Sequence, residues 1–293
     1  MTLNFARTAA ACLLLFAASL SAQLTHTWVS ATGIDATCTG AVAKPCASFN
    51  TAAILTAAGG MISVLGPGDY GAITITKSLT IDGTGGGSIG FAGDAEGIYV
   101  NPSASVNVVI RNLTVDGGGT GSNAIYIASA GTANIVNVVI DGCHIEGFTN
   151  IGVGLASQSP TYVAVRNTAI QGGVLGVRTF QGTTGHDHVT LDHVTVQGAT
   201  NAGVFTRNGN MDITNSTISG NIGTNVAGIQ ADTSATLNVQ SSMITGNTNG
   251  VCIFASSTAV LGSSTTVADN ATNIEACGGS VGGSGSAGPS PKL

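Results

Sequence analysis

A short pattern returns along this chain at an interval that leaves few folds open. VNVVIRNLTVDG closes on Gly117, NIVNVVIDGCHIEG on Gly147, TYVAVRNTAIQG on Gly172, HVTLDHVTVQG on Gly198, NGNMDITNSTISG on Gly220 and ATLNVQSSMITG on Gly246. The closing glycines stand 30, 25, 26, 22 and 26 residues apart. Up to each glycine apolar and polar residues alternate, as a strand with one buried face requires. A short Asn/Thr/Gly turn follows, then a second brief strand: AIYIA, GVGLA, GVRTF, GVFTR, GIQAD, GVCIF. One such copy cannot bury its apolar face alone, so the copies must stack as a solenoid. The expected fold class is all-β.

Composition decides which surfaces that solenoid can carry. Only 8% of the 293 residues are charged and 43 are glycine, so the surface is built from Thr, Ser and Asn with frequent turns. Eight Lys and Arg against a net charge of −6 provide no clustered cationic surface, and no nucleic-acid partner is expected. Residues 1–22 read as a signal peptide: Arg7, an apolar run from Ala9 to Leu20, then small residues ending at Ala22. That run is too short to span a membrane, so a secreted or periplasmic protein without a membrane span is expected.

Five cysteines follow the leader. Cys38 and Cys46 flank a short Gly/Pro loop and are expected to pair. Cys143 falls at an inward position, where a thiol serves as a small apolar group. Cys252 and Cys277 form a possible second pair, but the register separates them by one coil and two residues, roughly 8 Å. That exceeds ordinary disulfide reach unless the last coil slips.

Residues 23–60 have a different grammar. Ser48, Phe49, Ala52, Ala53, Ala57 and Gly59 read as the cap, apolar face and stop of a short helix, which would plug the open apolar end of the coil. MISVLGPGDY, AITIT and SLTIDG then supply the first coil, with Gly66-Pro67-Gly68 at its corner. The solenoid is read over residues 61–277, and 278–293 as a flexible Gly/Ser tail. TWVSATGIDATC, PCASFNTAAILTAAGGMISVLGPGDYGAITITKSLTIDG and the later coils resemble secreted bacterial parallel β-helix repeat proteins of the pectate-lyase-like superfamily, over roughly residues 27 to 277. The resemblance implies three parallel sheets wound as a right-handed coil, with the repeat interval in support, and the repeats of this chain are expected to make about nine turns. It implies architecture more than activity, since β-helices carry lyases, hydrolases, adhesins and tailspikes.

Stacked coils turn the sequence into a surface map. Six residues before each closing glycine stand Arg111, Asp141, Arg166, Asp192, Thr214 and Gln240, a charge ladder that would fix register. One position along, Asn112, Asn167 and Asn215, with His193 among them, are expected to satisfy the turn backbone as an asparagine ladder. On the second strand Tyr99, Tyr126, Gly154, Arg178, Phe205, Gln230 and Cys252 face outward, and two residues on come Asn101, Ala128, Ala156, Phe180, Arg207, Asp232 and Phe254.

Tyr99, Tyr126, Arg178, Phe180, Phe205, Arg207 and Asp232 therefore form a candidate strip for polysaccharide or a cell-surface glycan, aromatic faces taking sugar rings and guanidinium forks taking carboxylates. Gly154 and Ala156 would leave a dip in it. The competing reading is that these aromatics pack beneath a loop such as Gln181 to Asp187.

Catalysis is not evident. Asp232 and Glu275 lie two coils apart, about 10 Å, and make a poor glycosidase pair. A lyase using Arg178 or Arg207 as base is the enzymatic alternative, and Ca²⁺ enters only with it; no other cofactor or metal site is expected. His186 and His188 beside Asp187 are weak metal ligands. A non-catalytic surface or adhesin-like protein is the third reading. Oligomeric state is not written in these residues.

Overall fold

The computed structural model describes residues 23–129, 134–180, 187–224, 226–254, 256–277, 279–283 and 286–287; the expected leader lies outside them. Its strands stack in parallel, each on the equivalent strand of the next coil, because alternating apolar residues can be covered only by another copy of themselves. The first sheet has eleven strands, from Leu24–Val29 through Val106–Arg111 and His188–Asp192 to Ser280–Gly283. A second, narrower sheet runs through Gly87–Gly90, Ala169–Gln171, Thr195–Gln197 and Met243–Thr245. A third runs through Glu96–Val100, Leu175–Phe180, Ala202–Arg207, Ala227–Asp232 and Asn249–Phe254. In two coils a single long strand, Thr114–Ser129 or His144–Ser157, serves both the second and third sheets.

Side chains at equal height meet inside. Ile110, Ile140, Val165, Leu191, Ile213 and Val239 form one inner column and Ile98, Ile125, Val153, Val177, Val204, Ile229 and Val251 another, all at 0% exposure. Cys143 is buried among such residues, and desolvation pushes its thiol up to about 11, so it packs as an apolar group.

The turns behave differently from the expectation. Asn112, Asn167, His193 and Asn215 all take positive φ, which explains the Asn preference there. The three asparagine amides do not serve the turn backbone: Asn112 donates to Asp82 and Thr84, Asn167 to Asp141 and Asn215 to Asp192, each on the preceding coil. The ladder that does satisfy backbone lies one turn on, in Asn221, Asn247, Asn270 and Asn273, buried at 0–3% exposure. Each amide Nδ2 of the first three donates to the next Oδ1, at 2.8, 2.9 and 3.1 Å. The charge ladder keeps its register from Asp82 through Arg111, Asp141 and Arg166 to Asp192, with Arg111 joined to Asp82 at 2.9 Å.

At the N-terminal end the helix is shorter than expected, Phe49–Leu55, capped by Ser48. It stops before Ala57 and Gly59 because the Thr56 hydroxyl donates to Ala52 O and the chain turns straight into strand Thr56–Val64. Phe49 and Ala52 are fully buried and Phe49 meets Tyr70 edge-on at 5.2 Å, so the helix closes the apolar end of the coil. Cys38 and Cys46 are bonded, and Asp35 accepts from Ala47 N, Ser48 N and the Ser48 hydroxyl, fixing the loop to the cap.

At the other end the stack continues past the boundary read at residue 277. Ser280–Gly283 pairs with Thr258–Leu261 and Ser286–Ala287 with Thr266 and Val267, since backbone pairing needs no apolar side chain. Cys252 keeps its expected place in the outward column and is both disulfide-bonded and buried. Its strand shows no slip, with Cys252 opposite Glu275 and Phe254 opposite Cys277; the Cys277 side chain lies outside the described residues.

Candidate functional site

The third sheet holds the expected strip in register. Thr74, Tyr99, Tyr126, Gly154, Arg178, Phe205, Gln230, Cys252 and Glu275 are paired one to the next along a single column. Phe180, Arg207 and Asp232 form a second column beside it. A third column completes the face: Glu96, Asn123, Ile151, Leu175 and Ala202. Sequence reading passed over this column because its residues sit two before an inward Val or Ile and follow the same alternation as the core.

Two clusters arise from these columns. Ile151, Leu175 and Ala202 are buried at 1%, 9% and 0% exposure beneath Tyr126, Val174 and Phe205. Tyr126 also leans over Gly154, where an added Cβ would stand 2.8 Å from its ring, so the expected dip is filled. Tyr126 and Phe205 thus spend part of their surface on packing. Tyr99 lies beyond that cluster, with its ring near-parallel to Tyr126 at 6.2 Å.

The second cluster is cationic. The Arg178 and Arg207 guanidinium carbons stand 4.5 and 5.3 Å from the centre of the Phe180 ring. Phe180 therefore orients guanidinium groups before it could stack on anything else. Arg207 also faces Asp232 at 3.7 Å, a long, half-exposed pair. Arg178 has no carboxylate partner among the described residues. Burial pulls its guanidinium below the ordinary arginine range, with Arg207 adding to that effect and Tyr126 opposing it. Burial likewise raises the Tyr126 hydroxyl, against the pull of Arg178.

The acidic groups do not converge. Asp232 is engaged by Arg207 and by the Thr233 hydroxyl, while Glu275 lies in the other column two coils away. His188 binds Asp212 at 2.9 Å on the first sheet, and Gln181 to His186 lie outside the described residues. One group of three potential metal ligands occurs among the described residues, Asp35, Cys38 and Cys46, and its two sulfurs are joined in the disulfide. No described helix is long and apolar enough to cross a membrane.

Residues 96–272 match the family model described as a right handed beta helix region. Among solved structures, pectate lyase Pel9A superposes with a TM-score of 0.63 at 16% identity, covering 90% of this chain and 76% of that one. The tailspike protein 3 of bacteriophage CBA120 matches at a TM-score of 0.29 and 13% identity, over 87% of this chain and 59% of that one. No curated protein matches by sequence. The pectate lyase likeness is one of fold.

Proposed function

The chain belongs to the right-handed β-helix family, and from that premise we propose that it is an exported protein that binds acidic polysaccharide along the outward face of its third sheet. The observation that carries this reading is Arg178: a half-buried guanidinium on the outer face, held by the Phe180 ring, beside Arg207 and without a carboxylate partner among the described residues. Such a fork is preorganised for a ligand carboxylate. Export is supported by the Cys38–Cys46 disulfide and by the leader-like residues 1–22. The similarity in fold to a pectate lyase makes uronate-rich glycans the first class to test.

Binding is favoured over turnover because no acid/base pair converges on the strip among the described residues. Lyase action would require Arg178 or Arg207 to take a C5 proton as the C4–O bond breaks, and an arginine rarely surrenders its proton in a protein. Its lowered position at Arg178 is the one feature that favours this second reading.

Retention of the purified protein on immobilised acidic and neutral polysaccharides tests both. Wild type is expected to be held by an acidic polymer, and Arg178→Ala to lose about tenfold in affinity, the usual worth of one charge-assisted contact. Its circular dichroism should not change. Unaltered retention of both Arg178→Ala and Arg207→Ala sinks the assignment. Appearance of a 4,5-unsaturated uronate that vanishes in either variant would make the protein a lyase.

A further inference from the structure

The strip does not run off the N-terminal end of the coil. A recess of about 260 Å³ interrupts it there, lined by Asn50, Ile73, Thr74, Ala95, Glu96 and Tyr99. Asn50 comes from the capping helix, so the element that plugs the apolar core also walls the end of the outer face. A second recess on Asn50, Ile54, Thr74 and Lys77 borders the same wall. The volume lies below the roughly 300 to 1,000 Å³ of pockets for drug-sized ligands, so it admits one ring rather than an oligomer.

The chemistry of the recess differs from that of the strip. Glu96 is its one charged group, without an ion pair among the described residues, whereas the cations stand three and four coils further on. At ~4.8 Å per coil Arg178 is about 14 Å from Tyr99, a few sugar units along the axis. A carboxylate in the recess would meet Glu96 at close range and be repelled; an uncharged ring would give its hydroxyls to Glu96, with Asn50 at the wall and Tyr99 as a flat side.

We propose that this recess seats an uncharged terminal sugar of the bound glycan, placing its acidic units at Arg178 and Arg207 and making the protein a reader of chain ends. This rests on the glycan-binding reading of the strip. The matched probes are a hexamer alternating N-acetylhexosamine and uronate, and a hexamer of uronate alone. Wild type should prefer the alternating probe by about tenfold. Glu96→Gln should shrink that preference to within about threefold by improving the all-uronate probe, while Arg178→Ala weakens both probes alike. Chain-end recognition also requires that equal masses of alternating polymer compete better as the chains are shortened.

Equal potency of long and short chains, or a preference that survives Glu96→Gln, overturns the recess assignment and leaves the Arg178 strip standing. Loss of neither probe in Arg178→Ala, with Glu96→Gln still changing the preference, overturns the strip instead. Retention of neither probe by wild type overturns the recess assignment.

Discussion

Asn247 shows how much of this fold is held by single polar side chains. Its Oδ1 accepts from both the backbone N and the Nδ2 of Asn221, and its own Nδ2 donates to Ile218 O, Thr245 O and Asn270 Oδ1. Asn247→Ala would strand several buried groups at once and should cost about 2 to 4 kcal/mol in chemical denaturation. Asn238→Ala, which removes one bond to Asp212 on the outer face, should cost under about 1 kcal/mol. If the two variants unfold alike, the buried ladder has no special weight. Asp82 gives a pH signature. Partial burial works to raise its carboxyl, but bonds from Thr84, Asn112 and Arg111 outweigh that and hold it down at about 2. A depressed carboxyl contributes stability that is complete above its unfolded value near 4 and lost as pH falls through about 2. The denaturation midpoint should therefore fall from pH 4 to pH 2, and less steeply in Asp82→Asn. At this scale the sequence was half legible. Asn112, Asn167 and Asn215 drew attention by their column, while Asn221, Asn247 and Asn270 were missed because nothing local distinguishes a buried amide from a turn amide.

The second strands carry a constraint that belongs to elements rather than residues. Gly97, Gly152, Gly176, Gly203, Gly228 and Gly250 stand level with one another, just before the inward Val or Ile. A Cβ on Gly203 would come within 2.6 Å of Asn221 Nδ2 and 2.8 Å of Gly228 O; on Gly250 it would come within 2.4 Å of Asn273 O. The sheet turns this corner with its backbones too close for a methyl group. Gly203→Ala should destabilise by about 2 kcal/mol, whereas Gly66→Ala, with nothing within 4 Å, should be neutral within about 0.5 kcal/mol. Equal unfolding midpoints for the two would refute the close approach. Ala124 occupies the same level in its own coil and is fully buried, so the column admits a methyl in that coil. The repeated GV and GI pairs were visible in the sequence, but their reason lies in the distance between coils. The helix was legible from Ser48 and Phe49; its end was not, because Thr56 reaches back to Ala52 O, a bond that Gly59 outweighs in a reading by residue type.

For the whole molecule, contacts run between neighbouring coils, so stability is close to a sum of coil and interface terms. That is why the solenoid was readable from spacing, and its right-handed form from the family resemblance, while the site was not. Inward columns need only the right apolar residue at the right count from a glycine, but the strip depends on which outward side chains lean on one another. Tyr126 over Gly154, Phe205 on Leu175 and Arg178 on Phe180 are side-chain choices that no count reveals. The same independence allows coils to be removed. Deleting Asn221 to Gly246, one repeat of 26 residues, sets Gly220 before Asn247 as it stood before Asn221 and keeps the asparagine ladder continuous. Deleting Gly173 to Gly198, another repeat of 26, removes Arg178 and Phe180 while restoring the same glycine-to-turn junction. Both shortened proteins should give the β spectrum and cooperative melting of the parent, with somewhat lower stability. Only the first should keep its hold on an acidic polysaccharide. Loss of folding in both would mean that the coils are not independent units. Binding that survives the loss of Gly173 to Gly198 would place the glycan away from Arg178, because that deletion leaves Tyr99, Tyr126 and the N-terminal recess in place and takes out the guanidinium that has no carboxylate partner among the described residues.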